Sequence, residues 1–130
     1  MIPYENSWLT PPGPIARVLL RSRDSGREVN DVAMLIDSGA DVTLVPSKAV
    51  EELRIAVREE SNYRLVGFNG SASTAQAIRL ELIFCQRLFR GQFLLIDQDW
   101  GILGRNVLHA VPLAPGRATV ALGRRRINVR

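Results

Sequence analysis

Apolar residues recur at every second position along most of this chain, in runs closed by glycine, asparagine, aspartate and proline, and that spacing commits it to strands. Ile15–Arg23 and Arg27–Ile36 are extended runs rich in Val, Leu and Ile, and Asp24-Ser25-Gly26 between them supplies a hairpin turn. The pattern changes at Pro46, where Ser47 is placed to cap one or two helical turns carrying Ala49, Val50 and Leu53. Tyr63–Phe68 and Ser71–Phe84 flank Asn69-Gly70, a dipeptide that takes positive φ at both centres of a type I′ turn, so a long hairpin over residues 62–84 is expected. Phe89–Ile96 and Gly101–Leu103 read as apolar strands and Arg105–Ala110 as a short helical turn. Ala118–Leu122 is expected to pair with Ile127–Val129 across Gly123.

With 130 residues, 46% of them hydrophobic and 23% charged, the chain fits one folded domain over residues 1–130, with a proline-rich N-terminal arm over 1–14. Its apolar runs, around Val32–Ile36 and Phe93–Ile96, are far shorter than the roughly 18 residues a membrane helix needs. Met1–Pro14 lacks the basic and then apolar stretches of a signal peptide, so a cytoplasmic location is expected. Cys85 and His109 are each alone of their type, which excludes an internal disulfide and a cysteine-built zinc site; no metal or cofactor is expected. The net charge of +4 is concentrated at Arg124, Arg125, Arg126 and Arg130. Because that segment has no aromatic residues to stack on bases, it reads as a solvated edge and not as a nucleic-acid surface.

The chemistry lies in Ala33-Met34-Leu35-Ile36-Asp37-Ser38-Gly39-Ala40-Asp41-Val42-Thr43-Leu44-Val45. An apolar strand delivers one carboxylate into a tight turn, Gly39 lets the backbone pass closely, and a second apolar strand leaves. Acid–base hydrolysis needs a carboxylate held rigidly and partly desolvated in this way. The tripeptide alone is weak evidence, since Asp, Ser and Gly are common turn residues. Asp24-Ser25-Gly26 repeats it between Arg23 and Arg27, where a polar hairpin tip is the better reading.

A second element, Trp100-Gly101-Ile102-Leu103-Gly104-Arg105-Asn106-Val107-Leu108, runs through glycine into Arg-Asn and a helical turn. With the Asp37 loop it resembles the retropepsin-like, or retroviral-type, aspartic proteases, whose mark is Asp-Thr/Ser-Gly-Ala followed much later by Gly-Arg-Asn/Asp. The resemblance spans roughly Ile15 to Leu122 in element order.

That resemblance implies a mostly β, single-lobe acid-protease barrel with a flap hairpin and one or two short helices, paired as a two-fold homodimer. It implies an aspartic endopeptidase in which Asp37 of each subunit forms a dyad that activates water against an extended polypeptide. Ser38 then matches the hydroxyl that locks the two loops together across the two-fold axis. Gly39 and Ala40 complete the loop, Asp41 matches the acidic partner of Arg105 and is expected to be buried with it, and Thr43 and Asn106 brace the loop from behind. Val66, Gly67, Phe68, Asn69 and Gly70 fall at the flap tip. The chain departs from viral subunits by an insertion at Ser47–Asn62 and by extra residues at both ends, which leaves open whether its termini form a dimer sheet. An inert peptide-binding or scaffolding dimer of the same fold is the alternative.

Overall fold

The computed structural model describes residues 13–55, 62–66, 72–110, 116–120 and 126–128. In chain order these form β1 (Ile15–Arg21), β2 (Glu28–Ile36), β3 (Leu44–Pro46), α1 (Ser47–Leu53), β4 (Asn62–Val66), β5 (Ala72–Phe84), β6 (Arg87–Ile96), β7 (Gly101–Leu103), α2 (Arg105–Leu108), β8 (Gly116–Val120) and β9 (Arg126–Asn128). The strands run β6-β3-β7-β2-β1-β5, and β5 returns to β6, so six of them close a barrel. Closure pairs those strands around the ring, and the first half of β6, which β3 does not reach, keeps an edge that β8 takes.

Alternation decides which side chains fill it. Val18 and Leu20 of β1, Val32 and Met34 of β2, Leu80 and Leu82 of β5, and Phe89 and Phe93 of β6 share one buried cluster. α1 closes on that cluster with Ala49, Val50 and Leu53. Burying side chains of this size stabilises by about 1.5–3 kcal/mol each, before any entropy is counted. A smaller cluster of Val42, Leu44, Leu65, Ala75, Ala77 and Leu94 lies where β4 and β5 meet β3 and β6.

One charge is drawn into this apolar setting. Glu81 on β5 is 4% exposed, and its carboxylate accepts from Arg21 at 2.8 Å and from Arg90 at 2.9–3.0 Å. Burial pushes its pKa up, but the two guanidiniums outweigh burial and hold it below the usual carboxylate value.

The β1–β2 hairpin turns where the sequence places it, with Gly26 at φ +76° and Ser22 N–H donating to the Arg27 carbonyl at 2.8 Å. β5 and β6 turn through Cys85 and Gln86, at φ +52° and +61°. Residues with a Cβ are strained there by roughly 1–2 kcal/mol each, which is why composition did not mark this turn. Of the long hairpin, the arms are described, antiparallel from Asn62↔Gln76 to Val66↔Ala72; Gly67, Phe68, Asn69 and Gly70 lie outside the described residues.

Two expectations are corrected. Ser47 is not a cap: Pro46 holds the N-cap position with no side-chain cap, and the Ser47 hydroxyl donates to the Ile96 carbonyl at 3.0 Å. Pro46 is still paired with Ile96, so the hydroxyl that follows it sits against β6. The expected hairpin across Gly123 is not found among the described residues of its two strands. β8 instead runs parallel to β6 and β9 parallel to β4, at opposite ends of the sheet order. Each of those edges carries backbone donors and acceptors that need partners, and the two strands satisfy them separately.

Candidate active site

The site is built where β2 ends. β2 and β7 run parallel with Met34↔Gly101, Leu35↔Ile102 and Ile36↔Leu103 in register, so the chain leaves both strands at the same level. Asp37 N–H then donates to the Leu103 carbonyl at 3.1 Å, and Arg105 N–H donates to the Ala40 carbonyl at 2.9 Å. The two segments separated by more than sixty residues are thereby laced backbone to backbone.

Within the loop, Ala40 N–H donates to the Asp37 carbonyl at 3.1 Å and Gly39 N–H donates to Asp37 Oδ1 at 2.9 Å. This is an Asx turn, in which the aspartate fixes its own side chain by folding the backbone over it. Asp37 is half-buried, Ser38 is exposed and Ala40 is fully buried. The carboxylate and the following hydroxyl therefore lie at the rim, while the loop is anchored by its last residue.

Thr43 ties the loop from behind. Its hydroxyl, fully buried, accepts from Gly104 N–H at 3.0 Å and donates to Asn106 Oδ1 at 2.8 Å. A hydroxyl is suited to this because it donates and accepts at one atom. Gly104 is required for a different reason. A Cβ there would run into the Val42 carbonyl and come within 3.0 Å of the Ala40 carbonyl, so the loop and the strand end touch only because that residue has no side chain.

Asp41 and Arg105 form an ion pair, with side chains 39% and 42% exposed. The structure thus brings Asp37, Ser38, Gly39, Ala40, Asp41, Thr43, Arg105 and Asn106 into one assembly. Val66 ends the described arm of β4, and the other residues assigned to the tip are outside the described set. Asp24 lies at the far end of β1 and β2, in the hairpin turn. The sequence reading placed Gly104 in the Gly-Arg-Asn motif without giving it a role, and the close approach to the Val42 and Ala40 carbonyls supplies one. The Leu103 and Ala40 carbonyls left no trace in the sequence, because any residue supplies them.

Among the described residues no cluster of three or more His, Cys, Asp or Glu side chains could hold a metal ion. No helix among them is long and apolar enough to cross a membrane.

The architecture is similar to solved viral enzymes. The EIAV protease in complex with the inhibitor HBY-793 superposes with a TM-score of 0.57 at 19% identity, over 87% of this chain and 97% of that one. The protease of simian foamy virus (mac) gives 0.52 at 17% identity, over 78% of this chain and 99% of its own. These likenesses establish a common fold. No curated protein sequence matches the chain. The aspartyl protease family model matches residues 25–107, a stretch that contains the Asp37 loop, the whole of 62–84 and Gly104-Arg105-Asn106. Because that match spans well over half the chain and takes in both halves of the braced loop, the chain belongs to the aspartyl protease family.

Proposed function

We propose that this chain is one subunit of a homodimeric aspartic endopeptidase, in which Asp37 from each of two copies forms a single catalytic dyad. The observation that carries the proposal is the Asp37 loop itself. It presents a half-buried carboxylate and an exposed Ser38 hydroxyl at the barrel rim, rigidly backed by Thr43, Gly104 and Asn106. Asp-Ser-Gly-Ala occurs once in the sequence, so one copy supplies one such carboxylate.

The chemistry requires two. Like charges within hydrogen-bonding reach cannot both ionise readily, so a dyad shares one proton. The ionised member takes a proton from the bound water as it attacks the scissile carbonyl, and the protonated member donates to the developing oxyanion. Collapse of the tetrahedral species returns that proton to the leaving amine. Neither a covalent intermediate nor a metal takes part in this scheme. The β4–β5 hairpin serves as the cover, and the substrate lies beneath it in extended form, adding its backbone as a strand.

Digestion of a peptide library by the purified chain, read by mass spectrometry across pH, tests this. Defined cleavage sites lost in Asp37→Asn support it. A folded dimer that binds the peptides and leaves them intact identifies the inert scaffold instead.

A further inference from the structure

We infer that the end of the barrel opposite Asp37 carries a binding site for a small phosphoryl anion. A cavity of about 410 Å³ opens there between the β1–β2 turn, the end of α1 and the middle of β5 and β6. That volume lies in the range of small-ligand pockets. Arg23, Arg54, Arg79 and Arg90 line it, with Asp24 as the one carboxylate and Ser22 as a neutral neighbour among the described lining residues.

The charges do not cancel. Arg90 is shared with Glu81, which it contacts at 2.9 Å. Among the described residues Arg23, Arg54 and Arg79 form no ion pair, and all three are exposed. Setting Asp24 against one of them leaves a surplus of about two positive charges, close to the −1.5 to −2 that one phosphate group carries near neutral pH. Guanidinium groups are the donors suited to that ligand, since their planar fork meets two phosphoryl oxygens at once.

A second observation concerns Arg54. It follows α1 in the left-handed region at φ +56°, a position where glycine is the unstrained choice. The residue held in that strained backbone, an arginine, lines the cavity. A plain helix stop needs no such side chain.

The site is separate from the proposed peptidase centre. The nine residues of β2, about 30 Å of strand, lie between the β1–β2 turn that lines the cavity and Asp37.

Isothermal titration at fixed ionic strength, with inorganic pyrophosphate as the probe, tests the inference. Saturable binding at one site per chain is expected. The pair Arg54→Ala and Arg79→Ala should weaken it by at least about tenfold. The pair Arg54→Lys and Arg79→Lys, which keeps the charge and loses the fork, should weaken it less than that; this pair carries the test if the alanine variant loses its folded circular-dichroism spectrum. Lys48→Ala removes one charge from an exposed pair with Asp99 and should have no effect, as should Asp37→Asn. Citrate should bind more weakly than pyrophosphate. Tighter binding of ADP than of pyrophosphate assigns the ligand to nucleotides, and equal binding assigns it to a free phosphoryl anion. Absence of saturable binding, an equal loss in Lys48→Ala, or equal binding of citrate overturns the inference.

Discussion

Asp37 and Asp24 carry the same tripeptide into opposite ends of one barrel, so they form a matched pair for testing what position alone confers. Asp37→Asn keeps the shape of the side chain and removes the proton acceptor; peptide cleavage should fall by at least about a thousandfold while the thermal melt stays in place. Asp24→Asn should cleave as the unaltered chain does, and a comparable loss in both would detach activity from the loop. Thr43 bears on stability. Thr43→Val strips the partner from buried Gly104 N–H and from Asn106 Oδ1, a loss of about 2–4 kcal/mol by urea denaturation, and Thr43→Ser should recover most of it. Arg105 is less consequential for folding than the sequence implies. The resemblance supplied it with an acidic partner, which the sequence reading took to be buried, but both side chains of the pair are about two-fifths exposed. Arg105→Ala should therefore cost at most about 1 kcal/mol in the isolated subunit.

At the level of elements, β6 and β8 approach each other closely at Gly91. Gly91 has φ +154°, and a Cβ on it would collide with the Val120 backbone, so Gly91→Ala should detach β8 and raise amide hydrogen exchange along Arg87–Gly91. β1, β5 and β6 are joined by charge as well as by hydrogen bonds, through Glu81 between Arg21 and Arg90. Glu81 has a folded pKa below its unfolded value. Its contribution is therefore fully present above the unfolded carboxylate range near 4.3–4.5 and is lost as pH falls through the folded value. The melting temperature should drop on acidification below about pH 4.5, and Glu81→Gln should flatten that drop while lowering stability at neutral pH. An unchanged acid limb in Glu81→Gln would remove this pair of contacts from the account. The elements differed in how readable they were. β1, β2 and the arms β4 and β5 follow from local alternation bounded by Gly26 and by Asn69-Gly70. β8 and β9 were recognised in outline but given the wrong partners, since a short strand pairs with whichever edge the finished barrel leaves open.

The whole molecule is where the proposed activity resides, because one chain brings one Asp37 and the mechanism needs two carboxylates around one water. Activity per subunit should fall on dilution below the dimer dissociation constant, as mass action requires. Refolding unaltered chains with an excess of Asp37→Asn chains should trap most of them in mixed pairs holding one carboxylate and one amide. Activity per unaltered chain should then drop toward the fraction still paired with its own kind, with exchange verified by a tagged pull-down. Constant activity despite verified mixing would mean that each chain owns a complete site.

The sequence by itself determined that this chain is mostly β and where most of its strands run, and its resemblance to the retropepsin-like proteases implied that Asp37-Ser38-Gly39-Ala40 and Gly104-Arg105-Asn106 form one unit. Alternation and turn chemistry act over a few residues, and a two-part motif names its own partner. Only the tertiary structure decided which edges β8 and β9 cover, that Thr43 satisfies Gly104 and Asn106 with one hydroxyl, and that the Asp41–Arg105 pair stays half-exposed. It also gathered Arg23, Arg54, Arg79 and Arg90, scattered over nearly seventy residues, around one cavity. These outcomes depend on closing the barrel, which sets distances between residues far apart in the chain and leaves no local pattern from which they can be read.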